Sequence, residues 1–235
     1  MTMAEHLSKQ YDAEIENLRS RVLEMGGLVE SQIRGAIESF VEGDEELAER
    51  VMTGDHQVNG CEVSIDDSCG QIIVKRQPAA RDLRLIMAIS KIVTDLERVG
   101  DEAEKIARMA KSIHERGMMP SERLPEMRHV SDIAVRMLRQ SLDAFARLDV
   151  AAAAEVVRLD VGIDAEFRSI LRQLITHMME DPRTISTALE VVWIAKAIER
   201  IGDHAKNLAE QVIYIVKGTD VRHTTLAQIE QEASS

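Results

Sequence analysis

The sequence is poor in residues that interrupt helices or build sheets: it has four prolines in 235 residues, and 3% of its side chains are aromatic. Ala, Leu, Ile, Val, Met, Glu and Arg dominate what remains, which favours helix at most positions and predicts an all-α fold. Cysteine is nearly absent. Cys61 and Cys69 have neither zinc-finger spacing nor the spacing of a redox C-x-x-C, and are expected as reduced core thiols. No basic run interrupts the excess of 41 Asp and Glu over 29 Lys and Arg, a formal charge of −12. Such a surface repels a phosphate backbone, so nucleic acid is excluded as a partner, while a cation or a basic protein surface suits it. Much of the charge also serves solubility. No apolar run approaches the roughly 20 residues of a membrane span, and the N-terminus lacks the basic-then-apolar layout of a signal peptide. A cytoplasmic protein is expected. There is no paired nucleophile and base and no glycine-rich phosphate loop, so neither catalysis nor direct phosphate or nucleotide binding has residues to rest on.

Helical periodicity is abundant. Leu7, Tyr11, Ile15, Leu18, Val22, Met25, Val29, Ile33, Ile37 and Phe40 recur at steps of three or four and predict one long helix. Gly26-Gly27 in its middle is expected to mark a close helix contact. Gly43 stops this helix and Asp44 caps the next, whose acidic first turn at Glu45 and Glu46 suits the positive end of the helix dipole. The pattern weakens around Thr53-Gly54 and Asn59-Gly60, which predicts a bent or irregular stretch before Pro78. A third helix is predicted from about Ala79 to Arg116. Gly117-Met118-Met119-Pro120 and Pro125 then form the strongest break. The boundary between two units, residues 1–117 and 118–235, is placed there. Leu124, Met127, Val130, Ile133, Met137, Leu138, Leu142 and Phe145 outline a fourth helix, and Asp149 caps a fifth that reaches Met178. Asp181-Pro182, a cap followed by proline at the first helical position, starts a sixth that ends near Lys217-Gly218. The polar tail from Thr219 to Ser235 is expected to be a frayed helix or disordered. The predicted architecture is six long helices in two tandem, pseudo-symmetric three-helix bundles.

One stretch occurs twice. Glu97-Arg98-Val99-Gly100-Asp101 returns as Glu199-Arg200-Ile201-Gly202-Asp203, shifted by 102 positions (199 − 97), and the same shift pairs Arg81 with Arg183, Ile92 with Ile194, Ala103 with Ala205 and Ala107 with Ala209. Each pentapeptide stacks two carboxylates at i and i+4, a like-charge pair that destabilises a helix by roughly 0.2–0.5 kcal/mol. A helix built only for stability would carry Lys or Arg at one of these positions. At about 100° per residue the pair points away from the Leu96/Val99/Ala103/Ile106 seam, so these acids are expected to look outward. The plainer alternative is surface ion pairing, with Lys105 four residues beyond Asp101 and Lys196 three before Glu199. Arg98 and Arg200 read as solvated or as reaching acids of a neighbouring helix. Gly100 and Gly202 keep the helix surface low, which suits either ligand access or close packing. His204 stands where the first copy has Glu102 and reads as a surface or packing residue. A ferritin-like di-iron site needs two Glu-x-x-His motifs, and only Glu126 with His129 fits.

The doubled Glu-Arg-[Val/Ile]-Gly-Asp motif in a doubled three-helix layout resembles the PhoU family, accessory regulators of bacterial phosphate uptake. The resemblance covers nearly the whole chain and is closest in residues 75–80, 82–84 and 179–220. It implies a cytoplasmic, non-catalytic protein that works with the ATPase subunit of a phosphate ABC transporter and with a membrane sensor histidine kinase, and that keeps the phosphate-starvation response off when phosphate is plentiful. Some members bind a divalent metal, or iron or zinc clusters, through acidic motifs that match Glu97/Asp101 and Glu199/Asp203 here. Further ligands would come from the neighbouring helix, where Glu62/Asp66 and Asp160/Asp164 have the spacing; oxygen ligands of this kind suit hard or borderline cations. Under the 102 shift, however, Glu62 falls on Asp164 while Asp66 falls on Arg168 and Asp160 on Val58, which argues against two matched sites. Long helices with an apolar surplus suit a homodimer. A helical adaptor without a metal or phosphate role is the competing reading, and under it the acidic pairs are replaceable without loss.

Overall fold

Local capping chemistry sets several of the helix boundaries. Asp44 accepts a hydrogen bond from the Leu47 N–H at 2.8 Å and Asp149 accepts one from Ala152 at 3.0 Å, which satisfies orphan donors of two first turns. Gly218, at φ +81°, closes the sixth helix in the left-handed region, where a side chain would be strained. The computed structural model describes residues 3–117, 124–222 and 224–234. Its helices are α1 (Met3–Glu42), α2 (Glu45–Arg76), α3 (Ala80–Glu115), α4 (Leu124–Arg147), α5 (Val150–Glu180), α6 (Ile185–Lys217) and α7 (Leu226–Ser234), with a 3₁₀ turn at Pro182–Thr184 leading into α6. No strand occurs among the described residues, and none of the described helices is long and apolar enough to cross a membrane. The expected break after Gly117 opens onto residues 118–123, which lie outside the described residues.

The first three long helices pack together, as do the next three, and the two sets meet along α3 and α6, the most extensive helix pair in the molecule. These two run antiparallel: Asp95 meets His204, Glu102 meets Arg200, and Arg116 meets Glu190. A continuous apolar core runs through both sets, with Phe40, Leu96, Ile106, Phe145 and Ile198 shut off from solvent. On one side of this pair α1 touches α4, and there Gly26 acts as expected. A Cβ at Gly26 would stand 2.6 Å from Leu142 Cδ1, so the bare backbone admits the leucine, whereas Gly27 faces open space.

Two expectations fail. α2 is unbroken through Gly54 and Gly60 because Val51, Val58, Ile65, Cys69 and Ile72 bury one face of it, and that packing outweighs the roughly 1 kcal/mol each glycine costs. The tail is not simply frayed: Val221 and Ile229 are almost completely buried and α7 packs against α5. Val221 and Ile229, with Leu226 packed against the core beside them, hold it.

Candidate functional site

The first pentapeptide lies along the seam between α2 and α3. Glu97 and Asp101 are half-buried, and burial, followed by the nearby charges of Asp101, Glu62 and Asp55, raises the Glu97 carboxyl above its usual value. Asp55 of α2 is raised as well, by burial and then by Asp101 and Glu104, against the lowering effect of a hydrogen bond that Asn59 donates to its Oδ2 at 2.9 Å. Glu62 accepts a hydrogen bond from the Thr94 hydroxyl at 3.0 Å and so belongs to this seam. Asp66 does not. Its charge acts on Cys69 of its own helix, whose thiol burial pushes up to about 11; both cysteines are free.

The floor of the seam is formed by glycine. A Cβ at Gly100 would lie 3.2 Å from Gln32 Oε1, 3.3 Å from Asp55 Oδ1 and 3.3 Å from Val58. Gln32 belongs to α1 and is 8% exposed. Its Oε1, with Asp55 Oδ1 and Asn59 Oδ1, is buried and makes no hydrogen bond among the described residues.

The second pentapeptide lies along the α5–α6 seam, with different partners. Glu199 is 8% exposed and receives Lys196, while Asp160 receives Lys206 at 2.6 Å. Burial alone would depress the Lys206 ammonium, but Asp160, Asp203 and Glu210 hold it above the usual lysine value. Asp203 is raised by burial and then by Glu199 and Asp160, with Lys206 and Lys196 opposing. Asp164 turns instead to the exposed Arg168, at 3.4 Å. Lys196 also lies over the Phe167 ring, 5.4 Å from its centroid.

These acids therefore do not look outward as the helical wheel suggested. Pointing away from one apolar seam is not pointing into solvent when α3 packs against α1, α2 and α6 at once, and α6 against α3, α4 and α5. The register of the outer helices also differs from the 102 shift. Gly202 faces Ile163 as Gly100 faces Val58, a separation of 105 (163 − 58). At 105, Asp160 falls on Asp55, Asp164 on Asn59 and Phe167 on Glu62. Asp55 is the seam carboxylate missed from sequence, because only the packing of Val58 on Gly100 and of Ile163 on Gly202 reveals the register of the outer helices.

Lys105, the sequence candidate for Asp101, pairs instead with Glu102 at 2.9 Å, and Arg200 reaches the same carboxylate at 3.3 Å across the α3–α6 contact. His204 proves to be a packing residue: buried at 7% exposure, its Nδ1 lies 2.8 Å from Asp95 Oδ1, which also accepts from Asn207 at 3.2 Å. Asp95 and Glu102 thus fasten the two sets of helices together through buried polar contacts.

For a metal, the fit is partial at best. On the α5–α6 seam, Glu199 and Asp160 already hold ammonium groups, and Asp164 is turned to an arginine. The α2–α3 seam offers only oxygen donors, a chemistry suited to a hard cation. Yet among the described residues no three His, Cys, Asp or Glu side chains converge as a ligand set.

A family model described as the PhoU domain matches the chain twice, over residues 22–110 and 127–212. A Pseudomonas putida protein named phosphate-specific transport system accessory protein PhoU homolog is 50% identical over 231 residues, 98% of this chain and 90% of its own length. The Escherichia coli K12 protein named phosphate-specific transport system accessory protein PhoU is 45% identical over 95% of this chain and 92% of its own. Among solved structures, PhoU from Pseudomonas aeruginosa superposes with a TM-score of 0.86 at 48% identity, covering 89% of this chain and 100% of that one. The phosphate transport system regulatory protein PhoU from Streptococcus pneumoniae gives 0.83 at 25% identity, covering 90% and 99%. With the doubled motif, the antiparallel α3–α6 pair and these full-length matches in agreement, the chain belongs to the PhoU family.

Proposed function

We propose that the chain is a non-catalytic accessory protein of a phosphate-specific transport system, which holds the phosphate-starvation response off when phosphate is plentiful. It acts from the cytoplasmic side by contact, coupling the ATPase subunit of the phosphate ABC transporter to a membrane sensor histidine kinase. The observation that carries this reading is likeness over nearly the whole chain to proteins named as accessory proteins of a phosphate-specific transport system. The site geometry suits contact: its carboxylates line two long helix seams.

Complementation tests it. In cells lacking the gene, the wild-type chain is expected to silence a phosphate-starvation reporter in rich phosphate, and a chain with Glu97, Asp101, Glu199 and Asp203 replaced by alanine is expected to fail while keeping its helix content. If the wild type leaves the reporter on, the phosphate role is lost and a helical adaptor of another system takes its place. If both chains silence it, the role stands and these carboxylates take no part in it.

A further inference from the structure

We infer that the tip of the α2–α3 hairpin, away from the acidic seams, docks a carboxylate-rich and partly apolar surface of a partner protein, through Val74, Leu83 and Met87 with Lys75, Arg81, Arg84 and Lys91 around them. The inference rests on the proposed contact function and names the surface and the chemistry of the partner.

Both hairpin tips keep apolar side chains outside the core, and at matched positions. Under the 102 shift of the inner helices Leu83 falls on Ile185 and Met87 on Leu189, and under the 105 register of the outer helices Val74 falls on Met179. The pairs are equally exposed, at 37% and 41%, 47% and 46%, and 77% and 79%. A single exposed apolar residue needs no explanation. Three that recur in both copies form a patch of the kind that marks an interaction site. In the first tip they adjoin. Leu83 and Met87 are one helical turn apart, and the antiparallel pairing that sets Val58 against Gly100 and Glu62 against Thr94, carried to the turn, brings Val74 beside Leu83. Met87 lies ten residues (97 − 87), about 15 Å, along α3 from Glu97, so the patch is separate from the seam.

The charges around the two tips differ, and they choose the partner. Residues 74–91 hold Lys75, Arg76, Arg81, Arg84 and Lys91 against Asp82 alone, in a chain of formal charge −12; the matching stretch 176–193 holds Arg183 against Glu180, Asp181 and Glu190. In the second tip two of these acids are answered from within, Asp181 by Arg183 and Glu190 by Arg116. In the first tip Arg76 is engaged by Glu14 of α1 at 2.7 Å, but the other cations meet no carboxylate in an ion pair among the described residues. Lys75 bonds the neutral Gln71 amide at 3.3 Å, Lys91 lies over the Tyr214 ring 5.6 Å from its centroid, Arg84 lies against Gly218 at the end of α6, and Arg81 stands exposed. Four cations beside three apolar side chains match a surface that offers carboxylates around an apolar centre. An anionic bilayer, a plane wider than the tip, would bring the acidic remainder of the chain against its own charge, whereas a protein can meet the tip alone.

The test uses the full chain and, as probe, a fluorescein-labelled helical peptide with one leucine stripe flanked by glutamates, titrated by anisotropy at low ionic strength, where screening is weak. Every side chain substituted is exposed, and circular dichroism confirms folding. The wild type is expected to bind one peptide per chain. Lys75→Glu with Arg81→Glu, and separately Leu83→Ser with Met87→Ser, are each expected to weaken binding at least tenfold. Ile185→Ser with Leu189→Ser, the same apolar loss at the other tip, and Arg136→Glu with Arg172→Glu, the same change of charge elsewhere, are expected to leave it as in the wild type. Equal losses in the tip variants and these controls would reduce the effect to net charge and unspecific adhesion and overturn the inference. So would a peptide that ignores the tip variants while phosphatidylglycerol vesicles bind the wild type and not those variants, which would mark a membrane surface. Self-association in sedimentation that Leu83→Ser with Met87→Ser abolishes, without peptide binding, would mark a second copy as the occupant and overturn it too. A wild type that binds the peptide through the tip yet leaves the phosphate reporter on would overturn the proposed function alone; one that silences the reporter while the peptide ignores the tip would overturn this inference alone.

Discussion

Removing the Asp95 carboxylate should loosen the α3–α6 contact more than any single acid of the seams. Asp95 is 8% exposed and accepts from two side chains of the opposite helix, His204 at 2.8 Å and Asn207 at 3.2 Å. In Asp95→Ala both contacts go, and the imidazole of His204, itself 7% exposed, keeps a buried N–H with no acceptor. A stranded buried donor costs about 1–3 kcal/mol, and the second, half-buried bond adds about 1 kcal/mol, so the expected loss is about 2–4 kcal/mol. For a chain of this length that is a melting temperature lower by roughly 5–15 °C. Urea unfolding followed at 222 nm gives the free energy directly, with the midpoint falling and the slope unchanged. Asp95→Asn retains an oxygen acceptor and should lose less. His204→Ala combined with Asp95→Ala should cost less than the sum of the two single changes, by about 1 kcal/mol, since each single variant already breaks the pair. A loss below about 0.5 kcal/mol in Asp95→Ala, or additive single variants, would refute the claim that this pair fastens the two sets of helices.

Three other outcomes follow from the packing and the ionisation. Gly26→Ala should destabilise by about 1–3 kcal/mol because its Cβ meets Leu142, yet the same change in a Leu142→Ala background should stabilise, since it then fills space and favours helix; urea unfolding of the four proteins reads the change of sign. Asp149→Ala should cost about 1 kcal/mol through loss of the α5 cap, and a thermal melt checks it. Glu210, 4% exposed, is raised by burial to about 7. Its folded value lies above its unfolded one, so its contribution is complete below about pH 4.5 and fades as the pH rises through about 7, by up to about 3 kcal/mol. Glu210→Gln should flatten stability across that window in urea titrations at fixed pH.

Much of the architecture was legible because its determinants are local. The stripe from Tyr11 to Phe40, the caps at Asp44 and Asp149 and the glycine after Lys217 each act within a turn or two of helix, and each element begins or ends where they say, while the cap and proline at Asp181-Pro182 start the 3₁₀ turn that leads into α6. α2 was misjudged for the same reason. Gly54 and Gly60 weaken its local pattern, and only packing against α1 and α3 compensates. Val221 and Ile229 are too sparse to form a periodic signal, so the burial of the tail against α5 was not visible either. At the seams, the repeated pentapeptide identified four of the carboxylates that line them. Glu62 is tied to α3 through Thr94, a contact that spacing along one helix does not foretell, because it does not say which neighbouring helix a side chain meets.

The sequence by itself determined the helices, their ends, the doubled motif and the family, since periodicity, capping and repetition are properties of contiguous residues. Only the tertiary structure decided which charges have partners. From Val58 to Gly100 the chain runs 42 residues, and from Ile163 to Gly202 it runs 39, so the outer helices of the two seams sit three residues out of the repeat shift. Three residues is almost one helical turn, so the difference leaves the face of the helix nearly unchanged and no trace in the periodicity. It nevertheless sets Asp160 against Lys206 and Asp55 against Glu104, and with that decides which seam is already filled.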